Sequence, residues 1–174
     1  MIHLNKGKPF PLGSSLTSQG INFSLLATNA EYVEILLYEK EDSISPKSIF
    51  KLDQTHNKGP YWYAEIKNLD EGCIYAFRVK QKNNAINNNY EKKVLLDPCS
   101  RGITGWGSYK RENALKTQEN TNSCLKSVVC DRKLLISRII QDRNILGKKQ
   151  LFMNSISNPS LNQLIKLKVV SKNF

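Results

Sequence analysis

Four cysteines, two histidines, scattered carboxylates and one aromatic run are the side chains of this 174-residue chain that could do chemistry. Cys73, Cys99, Cys124 and Cys130 form no Cys-x-x-Cys pair, and only His3 and His56 could join them. Structural zinc sites declare themselves by close ligand pairs, so neither a metal nor another cofactor is expected. Free thiols are expected in place of a disulfide framework. Asp53, Asp70 and Asp97 stand among turn formers, where carboxylates cap backbone amides or face water, and no catalytic residue is assigned. The run Tyr61-Trp62-Tyr63 is the best candidate for ligand binding, because grooves present aromatic faces beside polar groups. In a strand, Tyr61 and Tyr63 project to one face and Trp62 to the other, so the three cannot all stack on one ligand. Trp62 either offers its ring or fills a core or edge position.

The elements that must position these residues are strands. Ile21-Asn22-Phe23-Ser24-Leu25-Leu26 follows Gly20, and Tyr32-Val33-Glu34-Ile35-Leu36-Leu37-Tyr38 follows Asn29-Ala30. In the second run Val33, Ile35 and Leu37 share one face, and Tyr32, Glu34, Leu36 and Tyr38 share the other. Ser48 to Leu52, Tyr61 to Ile66 and Ile74 to Val79 read as further strands by their β-branched and aromatic content. Asn57-Lys58-Gly59-Pro60 and Asn68-Leu69-Asp70-Glu71-Gly72 supply turns between them. No helical period longer than two turns occurs before residue 130, and Val94-Leu95-Leu96 returns to strand before Asp97-Pro98. This spacing predicts an all-β sandwich. Asn83 to Asn89 reads as a polar loop. Residues 102–133, with Gly105-Trp106-Gly107, read as an irregular linker.

Length and charge exclude several classes. A complete (β/α)8 barrel needs roughly 250 residues, and no apolar run approaches the roughly 20 that span a bilayer. The first residues lack the apolar core of a secretory signal, so a cytoplasmic protein without membrane contact is expected. The net charge is +11, and residues 131–174 hold nine Lys/Arg against two Asp/Glu. A basic tail can be a nucleic-acid arm. That reading ranks last, because the tail has another explanation.

Gly7-Lys8-Pro9-Phe10-Pro11-Leu12-Gly13, followed by Gly20-Ile21-Asn22-Phe23-Ser24-Leu25-Leu26, closely resembles the start of isoamylase-type glycogen debranching enzymes. These are α-1,6-glucosidases of glycoside hydrolase family 13 with an N-terminal family-48 carbohydrate-binding module. The order continues through Val33 to Tyr38, Tyr61-Trp62, Leu69 to Val79, Val94 to Arg101 and Cys124 to Asp131, so the likeness runs collinearly over residues 7–133. It implies an immunoglobulin-like, early-set sandwich at residues 1–101. Residues 102–133 would lead to a catalytic barrel that the chain lacks. The chain departs from the family at Ala76, where Gly is usual, at Tyr63, where His is common, and in its asparagine-rich loop. The resemblance implies α-glucan, as in glycogen or starch, as the ligand class, with Tyr61, Trp62 and Tyr63 as the carbohydrate-binding candidates. No counterpart is found for the loop tryptophan pair of better-known glucan-binding members.

Residues 134–174 match nothing in the family, yet their codons can. One permitted back-translation of Ile139 to Ser157, read from its third base, encodes HPRPKHSWEKTIIYELHI. In the family, a His-Pro-Arg-Pro linker leads to Ile-Tyr-Glu-Leu-His, the first barrel strand, in that order. The expectation is a lost or gained base near Leu134-Leu135, leaving a poorly ordered tail of accidental sequence. The chain is then a truncated, non-catalytic module, or the docking half of a split enzyme whose barrel is translated separately. Sequencing the gene past codon 133 checks this. Barrel codons should continue in the offset frame, and their absence there contradicts the frame slip.

Overall fold

The computed structural model describes residues 3–82, 92–116 and 119–131. The chain divides into two compact units, residues 1–131 and 132–174, and the described residues all lie in the first. The expected poorly ordered tail at 134–174 and the asparagine-rich loop at 83–89 lie outside the described residues.

The fold is an immunoglobulin-like β-sandwich of two antiparallel sheets. The first contains β1 (Leu4–Asn5), β7 (Tyr61–Lys67), β3 (Gly20–Leu26) and β2 (Gly13–Leu16) in that spatial order, with β6 (Asn57–Lys58) also on β7. The second runs β5 (Ser48–Leu52), β4 (Ala30–Tyr38), β8 (Ile74–Gln81), β10 (Lys126–Val128), β9 (Gly102–Thr104). Alternating side chains from both sheets meet between them: Ile21, Phe23, Leu25, Trp62, Ala64 and Ile66 from one, Val33, Ile35, Leu37, Tyr75 and Phe77 from the other. A short helix, α1 (Arg111–Leu115), precedes β10.

The strand reading holds for β3, β4, β5, β7 and β8, but two expectations are corrected. Val94 to Leu96 is not a strand. Leu95 makes one bridge to Phe77, and the Asn120 side chain takes the place of a strand partner for Val94. Its Oδ1 accepts from Val94 N at 2.9 Å and its Nδ2 donates to Val94 O at 3.0 Å. Nor does the sandwich end at residue 101 with a linker over 102–133. β10 sits between β8 and β9 inside the second sheet, and the compact unit runs to Asp131. Segments of three residues are too short to show alternation, so their pairing is set by tertiary contact.

Both outer faces carry covers. Leu36, Tyr38 and Ala76, on the outer face of the second sheet, pack with Val94 and Cys124 of the segment that leads to β10. On the first sheet a strap, residues 7–11, crosses β3. Lys8 N donates to Asn22 Oδ1 at 2.7 Å, Asn22 Nδ2 donates to Lys8 O at 3.0 Å, and Ser24 Oγ donates to Pro9 O at 2.7 Å. Gly7 permits this approach. A Cβ there would fall 2.1 Å from Asn22 Oδ1 and 2.7 Å from the Ala64 carbonyl carbon.

The edge between the sheets is closed by the turn Asp97-Pro98-Cys99-Ser100-Arg101. Asp97 is 2% exposed, which corrects the expectation of an ordinary turn carboxylate. It does cap a turn, accepting from Cys99 N at 2.8 Å, but its other oxygen accepts from the core Tyr75 hydroxyl at 2.5 Å. Asp97 N donates to Ser127 Oγ of β10 at 3.0 Å. Arg101 then ties the sheets together, donating to Ser14 O of β2 at 3.2 Å and to Cys130 O at 3.1 Å. Gly13, at φ +87°, lies so close that a Cβ would stand 2.9 Å from Cys99 O.

Burial raises the Asp97 carboxyl above the ordinary carboxylate range, against the opposing pull of the Tyr75 hydroxyl, the Cys99 amide and the Arg101 charge. The folded chain thus holds this proton more tightly than the unfolded chain, so the Asp97 contribution to stability falls as pH rises through the window above about 4. Tyr75→Phe removes a bond to the charged form. It should cost about 1–3 kcal/mol in urea unfolding at pH 7 and measurably less at pH 4. An equal loss at both pH values would contradict this coupling.

Candidate functional site

β7 presents the aromatic run in strict alternation, and the structure separates its members. Trp62 is 2% exposed in the sandwich core, with its indole N–H donating to Ala27 O at 3.2 Å. Tyr63, 4% exposed, projects to the opposite, outer face, where it pairs in register with Ser24 beneath the strap. Neither ring offers a face to solvent, so neither can stack on a ligand in this conformation. Tyr61 is half-buried at the end of β7 and is the one member of the candidate trio with ring surface to give. Tyr75 is fully buried and Tyr38 nearly so, and neither joins it.

The strap brings in a residue that sequence reasoning passed over. Phe10 is 59% exposed, and its ring lies 4.9 Å from that of Tyr61, tilted by 60°. Leu26, 51% exposed, faces Tyr61 across the β3–β7 ladder. Leu26 also walls a groove of about 400 Å³ that continues over Ala27, Thr28, Asn29, Leu96 and Pro98. Trp62 shapes this groove from beneath, since its indole holds Ala27 O while Ala27 N donates to Pro60 O at 2.8 Å. The only signal for Phe10 in the sequence was its place between two prolines in a resemblance motif.

A second aromatic pair, with one exposed ring, lies in the turn after β9. Trp106 is 64% exposed and meets Tyr109 edge-on at 6.0 Å. The candidate carboxylates do not converge. Asp53 caps a 3-10 turn, accepting from the Thr55 hydroxyl, facing His56 Nδ1 and accepting from Thr55 N, and these hydrogen bonds lower its pKa to about 2. Asp70 lines an open polar recess with Thr17, Ser18 and Gln19, and Asp97 is sealed in the sandwich edge. The four cysteines are free thiols, and burial pushes Cys73 up to about 11. No cluster of three metal-ligating side chains occurs among the described residues.

Residues 11–100, more than half of the chain, match the family described as carbohydrate-binding module 48, the isoamylase N-terminal domain. The chain belongs to this family. The glycogen debranching enzyme of Pectobacterium carotovorum is 34% identical over 109 residues, covering 61% of this chain and 16% of that protein. That of Erwinia tasmaniensis is 35% identical over 108 residues, again 60% of this chain and 16% of the other. The chain therefore spans about a sixth of the length of these curated relatives. Among solved structures, the glycogen-degrading pneumococcal virulence factor SpuA aligns at a TM-score of 0.51 with 15% identity, covering 73% of this chain and 12% of the other. Pullulanase from Bacillus acidopullulyticus aligns at 0.50 with 18% identity, covering 71% and 12%. At these identities the likeness is one of fold.

The two tryptophans differ enough in exposure to be told apart by fluorescence. In a Trp106→Phe variant the remaining Trp62 emission should be blue-shifted and nearly insensitive to acrylamide. Ready quenching would contradict the burial of Trp62.

Proposed function

We propose that this chain is a non-catalytic α-glucan-binding module derived from an isoamylase-type debranching enzyme. Membership of the carbohydrate-binding module 48 family carries the reading. Debranching chemistry of the glycoside hydrolase kind needs a nucleophile and a general acid on either side of the glycosidic bond, a few ångströms apart. Asp53, Asp70 and Asp97 stand on separate turns, engaged respectively in a cap, a polar recess and a buried cluster. Contact with glucan is by surface, through exposed rings and hydrogen-bonding rims, and the expected affinity is weak.

A second reading makes the chain the docking half of a split enzyme. It is favoured by the codons available to residues 139–157, which can spell the family's linker and first barrel strand in the offset frame. Either way, we read the basic tail as a by-product of that frame and assign it no nucleic-acid role.

Retention on immobilised glycogen tests the first reading. The full chain should be retarded in a glycogen-containing native gel relative to a gel without polysaccharide, with no release of linear chains from the polymer. Unaltered mobility contradicts glucan binding, and release of chains contradicts the non-catalytic assignment. For the second reading, a tagged chain should copurify a separately translated barrel product from its own cells.

A further inference from the structure

Two of the three rings nominated by sequence are closed to ligand, so a glucan surface must be sought elsewhere on the described residues. Three places compete. The recess at Thr17, Ser18 and Gln19 is polar and bears no aromatic side chain. The turn at Trp106 and Tyr109 has a large exposed ring, but Trp106 meets its neighbour edge-on and neither residue lies in a strand. The end of the first sheet carries Phe10 and Tyr61, with Leu26 beside them.

We infer that Phe10 and Tyr61 form the surface on which this module lays an α-glucan chain, which then runs over Leu26 into the groove at Ala27 to Asn29. The inference rests on the glucan-binding reading and gives it a location. The apolar faces of glucosyl rings need aromatic surface that is both exposed and already ordered, because ordering a loose side chain on binding subtracts from affinity. Phe10 meets both needs. It is 59% exposed, yet the backbone on its N-terminal side is pinned to β3 through Lys8 and Pro9 by three hydrogen bonds. Tyr61 is fixed by its place in the β3–β7 ladder, opposite Leu26. The 60° tilt between the two rings gives a bent platform in place of a flat one, which suits the curved path of an α-linked chain better than a straight β-linked one.

The groove supplies the other half of the recognition. Its walls at Leu26, Leu96 and Pro98 are apolar, and the exposed Thr28 and Asn29 lie on its rim, the mixture expected of a site that orients a ligand by a few polar contacts. Trp62 acts here as a positioning residue. From inside the core its indole holds the Ala27 carbonyl and so fixes the turn that forms the groove wall.

The test is titration of the full chain with maltoheptaose, with glycogen retardation as a second readout. Phe10→Ala should weaken binding about fivefold to tenfold, as expected for loss of one aromatic contact of about 1 kcal/mol, while Phe10→Trp should keep or tighten it. Tyr61→Ala should weaken binding as Phe10→Ala does, and Trp106→Ala should be unchanged. Because Phe10 is largely exposed, unfolding midpoints of its variants should stay close to the parent, which separates lost contact from lost fold. If the parent binds and Phe10→Ala binds equally well, or if Trp106→Ala is the weakened variant, this location is wrong and the glucan reading stands. If the parent itself fails to bind both maltoheptaose and glycogen, the glucan reading falls and this location with it.

Discussion

A carboxylate sealed in an apolar edge is costly unless its charge is fully met by hydrogen bonds. Asp97 occupies such a place, and the surrounding structure offsets part of that cost. The Tyr75 hydroxyl reaches it from the middle of the core, the Cys99 amide from its own turn, and the Arg101 charge from nearby. Tyr75 in turn stacks edge-on against Phe23 of the opposite sheet and Phe77 of its own. The polar pair is thus anchored on the middle ring of an aromatic row that joins the two sheets. Through Ser127 and Arg101 the same turn fastens β10 and β2, so one short motif holds members of both sheets.

The exposed surface depends on that frame. β3 and β7 are the inner strands of the first sheet, and their outer face would be an open ladder without the strap at residues 7–11. By binding Asn22 and Ser24 the strap covers Tyr63, and its far end sets Phe10 against Tyr61. Coverage and presentation are therefore one event: the segment that hides one tyrosine supplies the partner of another. On the inner side Trp62 fills the core with its rings and spends its single donor on Ala27, linking core packing to the shape of the groove.

Much of this was legible in the sequence, and the rest was not for identifiable reasons. β3, β4, β7 and β8 are long runs of β-branched and aromatic residues, and their alternation correctly put Val33, Ile35 and Leu37 on the core side. The same alternation placed Trp62 opposite Tyr61 and Tyr63. It could not show that Tyr63 is buried, because Ser24, opposite it on the ladder, is tied to a strap distant in sequence. Asp97 looked like any turn aspartate, since its burial arises from Tyr75 and Ser127, twenty-two and thirty residues distant. β9 and β10 have three residues each, below the length at which a period can be seen, so the stretch holding them read as a linker. Family resemblance supplied the immunoglobulin-like topology; it did not separate the half-buried Tyr61 from the buried Trp62 and Tyr63.

Native-state hydrogen exchange tests the dependence of the sandwich on its sealed edge most directly. The amides of Asp97 and Cys99, and those of β10 flanking Ser127, should exchange only through global unfolding, at the same free energy as the core amides of β8. Exchange of the Asp97 turn and β10 by a separate, low-energy opening while β8 stays protected would contradict the account. The turn would then be an ornament on a sandwich that closes without it.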